Sequence, residues 1–136
     1  MNIIKVIIGL LLGLFIGMMV NGSLINIGMK VFPFPNGVNF STPEGMKAFI
    51  TLPLHYYMFP FLAHALGTLC GCLAGLLVFK EKAKKFVYLI GFLFFIGGVM
   101  AVNMINAPVW FDVLDLSLAY LPMAWLSLQS KLAKKT

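Results

Sequence analysis

The stretch FPFLAHALGTLCGCLAG, residues 59–75, is apolar enough to lie in lipid, yet it carries a histidine and three glycines. At about 100° per residue on a helix, His64, Gly67, Gly71 and Gly75 fall on one stripe. Glycines at four-residue spacing strip side chains from a helix surface. In a bilayer, where packing drives association, they let a neighbouring backbone come close. His64 is therefore expected to face a helix and not lipid.

Upstream, GLLLGLFIGMMVN, residues 9–21, repeats the device with Gly9, Gly13, Gly17 and then Asn21. Two consecutive spanning helices run antiparallel, which sets Gly9 level with Gly75 and Asn21 level with His64. The expectation is a glycine seam closed at one end by an Asn21–His64 pair. The competing reading packs each stripe against another subunit.

Composition places both stretches in a membrane. Of 136 residues, 61% are hydrophobic and 10% charged; ten lysines and four acidic residues cannot cover a water-soluble core of that size. A helix crosses the hydrocarbon with about 20 apolar residues, and the runs 3–27, 58–79, 86–105 and 110–128 qualify. None alternates with period two, as the strands of a membrane barrel would. The fold class is thus an all-α membrane protein, four transmembrane helices in an antiparallel bundle forming one domain over residues 1–136. A cleavable signal peptide is the competing reading of the first run. That run exceeds the usual signal core, and its glycines match those of the second.

Eight of the ten lysines fall at one end, in residue 5, the loop KEKAKK (80–85) and the tail KLAKKT (131–136). The positive-inside rule then puts both termini in the cytoplasm of an inner-membrane protein, with anionic headgroups as partners of that face. No arginine or basic patch interleaved with stacking aromatics points to nucleic acid.

Residues 28–57 form the outer loop and read as a structured cap. VFPFPNGVNF predicts an extended stretch with a turn. In STPEGMKAF, Thr42 suits a helix cap, Pro43 the first helical position and Glu44 the first turn. Tyr56, Tyr57 and Phe59 form an aromatic belt, with His55 wetted beside Tyr56. Asn21 and Asn39 begin glycosylation sequons, too short a pattern to carry weight.

Polar residues of the spans gather toward the outer level: His64, Asn21, Asn103, Asn106, Asp112 and Asp115. Ionisable groups in a bilayer are costly and mark function until a partner explains them. The pairs expected are His64 with Asp115 and Asn21 with Asn103. The bland reading makes Asp112 the cap of the last helix and Asp115 its capping-box partner. His64 is either a neutral ring bonded across the seam or a proton carrier, and Pro122 a kink.

Cys70 and Cys72 point about 200° apart on a helix and read as small buried residues. Two histidines and two carboxylates on different helices make a poor metal site, and no phosphate loop or nucleophile–base pair is present. No catalytic residue, metal or cofactor is expected.

FPFLAHALGTL, together with MVN and APVWFDVLDL, resembles sequence of small uncharacterised four-span bacterial membrane proteins. The resemblance implies the four-span fold and brings no activity. An accessory or ligand-binding membrane subunit is the expected function, alone, as a homo-oligomer or beside a partner membrane protein. A proton-linked or small-solute transporter acting as an oligomer is second, and a membrane-embedded enzyme third.

Overall fold

In the computed structural model, residues 2–35, 38, 39, 41–79 and 83–130 are described. They are all-helical, with no strand among them. Four helices are long and apolar enough to cross a membrane. Lys80, Lys82, Lys131, Lys134 and Lys135, and Asn36 and Gly37 of the expected turn, lie outside the described residues.

The first helix, α1 (Ile3–Val31), opens with the Asn2 side chain accepting from the Ile4 N–H. It runs past the expected end at 27. Gly28 packs against the Phe59 ring, and the Phe32 N–H closes on the Gly28 carbonyl at 2.8 Å. Its 29 residues make a rod of about 43 Å, longer than a hydrocarbon core of about 30 Å.

The cap follows. In α2 (Pro43–Ala48), the Gly45 N–H donates to Thr42 Oγ1 at 3.2 Å, with Pro43 in the first turn. Two 3₁₀ turns, Phe49–Thr51 and Leu54–Tyr57, lead into α3 (Met58–Leu76). Tyr57 donates to the Phe49 carbonyl at 2.7 Å and Tyr56 to that of Pro33 at 2.9 Å. These bonds tie the cap to the bundle, with Phe49, Leu52, Tyr57 and Phe111 as its core. His55 is exposed and its ring lies 4.4 Å from that of Tyr56.

The long pairing is between α1 and α3. A Cβ on Gly13 would stand 2.8 Å from the Gly71 carbonyl oxygen, and one on Gly17 would stand 2.7 Å from that of Gly67. Any side chain there would push the backbones apart. Gly9 and Gly75 do not meet in this way: both abut the ring of Phe79, which is fully buried. At the other end Gly67 faces the Cβ of Asn21. These contacts lie within one chain.

The third span is α4 (Ala83–Met104). With α3 it encloses an apolar core at the end carrying Lys84 and Lys85, built from Cys72, Leu76, Phe79, Val87 and Ile90. The fourth span, Val109–Leu128, is interrupted. It is two helices, α5 (Val109–Leu118) and α6 (Leu121–Leu128), broken at Ala119 and Tyr120. The break is the bend expected of Pro122, whose ring has no N–H for the Leu118 carbonyl one turn back. Pro122 sits in the first turn of α6, where a missing N–H costs nothing.

Candidate functional site

The break brings three polar side chains together. His64 Nδ1 lies 2.9 and 2.8 Å from the two carboxylate oxygens of Asp115. The Tyr120 hydroxyl donates to Asp115 Oδ2 at 2.9 Å. Only 3% of Asp115 is exposed, so its charge has left water, a cost that close donors must offset. Where the carboxylate accepts, His64 donates to it from an Nδ1–H. Nε2 then has no hydrogen-bond partner among the described residues.

Each member is held from behind. Tyr120 is buried and its ring stacks on that of His64 with centroids 5.8 Å apart. Room for Tyr120 comes from Gly98 of α4, where a Cβ would stand 2.5 Å from the phenol Cζ. The next contact between α4 and α6 is also at a glycine: Gly91 would place a Cβ 2.7 Å from that of Ala124. Asp115 is fixed by its place on α5, whose next turn closes with the Ala119 N–H on the Asp115 carbonyl.

The ring of His64 forms part of the wall of two cavities. One, of about 210 Å³, lies under the cap and is lined by Phe34, Phe49, Ala101, Ile105 and Phe111, with His64, Asp112 and Asp115 as its acidic and basic groups. We call it the chamber. The other, of about 440 Å³, lies between α1 and α4 and is lined by Leu14, Met18, Asn21, Leu93, Phe94 and Tyr120, among others.

The other polar residues take separate places. Asn21 packs its Cβ on Gly67 and forms no hydrogen bond with His64 or Asn103 among the described residues. Asn103 is exposed and donates to the Val99 carbonyl one turn back at 2.7 Å, a bond that satisfies a helical amide without a second helix. Asn106 is exposed in the connection to α5. The capping reading of the aspartates fails because α5 begins earlier: its N-cap is Pro108, which leaves Asp112 at the end of the first turn and Asp115 in the second. Asp112 is half-buried in the chamber wall.

Tyr120 and Gly98 are the members that the sequence did not single out. On an unbroken helix, residues 115 and 120 would point about 140° apart. Only the break turns the phenol back onto the carboxylate. Among the described residues no group of three or more His, Cys, Asp or Glu side chains converges to hold a metal ion. What the arrangement can do is offer one oriented imidazole nitrogen, backed by a buried carboxylate, to something in an adjacent cavity.

Compared with known proteins, the chain matches no family model, no curated protein and no solved structure. Fold and site together define a small multi-pass helical membrane protein with a buried Tyr–Asp–His network.

Proposed function

We propose that this protein is an antiparallel four-span bundle of the inner membrane, a single domain with both termini cytoplasmic, that binds a small ligand in the chamber at the outer leaflet. It serves as an accessory or ligand-binding membrane subunit. The observation that carries this reading is the His64 ring, tethered by Asp115 at the edge of a mostly apolar cavity that Asp112 and Asp115 also line. Binding sites are commonly apolar hollows with a few convergent polar groups that fix orientation.

Transport is the weaker reading. A conduit needs polar groups along its whole path, whereas the end bearing Lys84 and Lys85 is filled by Phe79, Val87, Ile90 and Leu76. The lysines near that end favour contact with anionic headgroups on the cytoplasmic face.

A ligand that binds only the folded state raises its melting temperature. In mild detergent, phenol should raise it more than toluene, because its hydroxyl can meet the chamber's polar wall. Ala101→Phe, which fills the chamber from α4, should abolish the difference. Equal shifts by the two solutes in the unsubstituted protein would overturn the reading.

A further inference from the structure

The cleft between α1 and α4 has a different character from the chamber. The two helices meet where Ile90 and Phe94 lie over Gly13 and Gly17. Beyond that level they part, and a Cβ added at Gly22 or at Gly97 would meet nothing within 4 Å. Met18 is 59% exposed and Leu93 37%, so the cleft opens on the apolar flank that faces lipid.

Its lining is graded. Leu14, Met18, Leu93 and Phe94 form the end toward the middle of the helices, and Asn21, His64 and Tyr120 form the other. The phenol is spent on Asp115. Asn21 and Nε2 of His64 have no hydrogen-bond partner among the described residues. Polar groups at membrane depth are expensive unless satisfied, and lipid chains cannot satisfy them.

We infer that this cleft is a lateral binding site for a single-chain amphiphile with a neutral hydroxyl head, its chain against Leu14, Met18 and Leu93 and its head between Asn21 and His64. The head follows from the groups it must meet. On a neutral ring that turns its proton to Asp115 at Nδ1, Nε2 accepts and the ligand donates. The Asn21 amide offers both an NH2 and a carbonyl oxygen, so a head that donates and accepts satisfies it most fully. A hydroxyl does both. A carboxylate would accept only, would lie near the charge of Asp115, and would find no lysine among the lining residues. The amphiphile is aligned as a lipid of the outer leaflet is, polar end outward, and enters from the bilayer without passing the cap. The site requires no occupant in the chamber.

The probe is hexadecanol with a photoreactive diazirine at its chain end, added to protein reconstituted in phosphatidylcholine vesicles. Crosslinks should concentrate on Leu14, Met18 and Leu93 at the chain end of the cleft and be competed by unlabelled hexadecanol, but not by hexadecane or palmitate. Asn21→Leu should weaken labelling about tenfold, the loss of one hydrogen bond at the head. Gly97→Leu, or Gly22→Leu from the facing helix, should block it by filling open space. Ala101→Phe in the chamber wall should leave it unchanged, which separates failure of this inference from failure of the chamber reading. Crosslinks spread along the exposed face of α1, or equal competition by hexadecane or palmitate, would overturn it.

Discussion

Tyr120 and His64 hold a buried carboxylate from two directions, and each bond has a different consequence when cut. Tyr120→Phe removes one donor from Asp115 Oδ2 and leaves the His64 contact in place. Thermal unfolding in detergent should report a loss of about 1–3 kcal/mol, the cost of under-satisfying a buried acceptor. His64→Leu leaves the Asp115 charge without its basic partner and should cost more, about 3–5 kcal/mol. The double variant His64→Leu with Asp115→Leu should recover part of that loss, because no charge remains to be buried. A double variant less stable than His64→Leu alone would show that the His64–Asp115 hydrogen bond is not what holds α3 to α5.

Among the elements, glycines divide into those that helices need and those they merely contain. Gly71 and Gly13 stand backbone to backbone, and their carbonyls cannot yield as the flanking Ile90 and Phe94 side chains can; Gly71→Leu should lower the melting temperature sharply, by the equivalent of about 1–3 kcal/mol, the cost of overpacking. Gly97 lies over open space, and Gly97→Ala should instead stabilise α4 by about 0.5–1 kcal/mol through helix propensity. Similar melting temperatures for the two variants would remove the seam as a determinant of the fold. The repeat was legible in sequence because spacing alone puts glycines on one stripe. That Phe79 closes its Gly9–Gly75 end was not, since a ring folding back after α3 depends on the turn that follows.

For the whole molecule, orientation rests on the lysines. With Cys70→Ser and Cys72→Ala as background, a cysteine at exposed Asn39 should react with an impermeant maleimide added outside intact cells. One at Lys84 should react only after the membrane is opened. The reverse pattern would invert the topology and carry the chamber to the cytoplasmic side.

Hydropathy, lysine placement and helix-cap residues are sums and neighbours along the chain, so the sequence by itself determined the four spans, the Thr42-capped helix and the glycine stripes. It also put His64 and Asp115 at one level, though they are 51 residues apart and any of several polar neighbours could have met them. Tertiary structure decided which did. The break at Ala119 and Tyr120 turns the phenol onto Asp115, Gly98 leaves room for it, and the parting of α1 from α4 leaves Asn21 facing a cleft instead of a partner. These are matters of direction between helices, and direction is settled by which side chains fit against each other, a quantity no single helix contains.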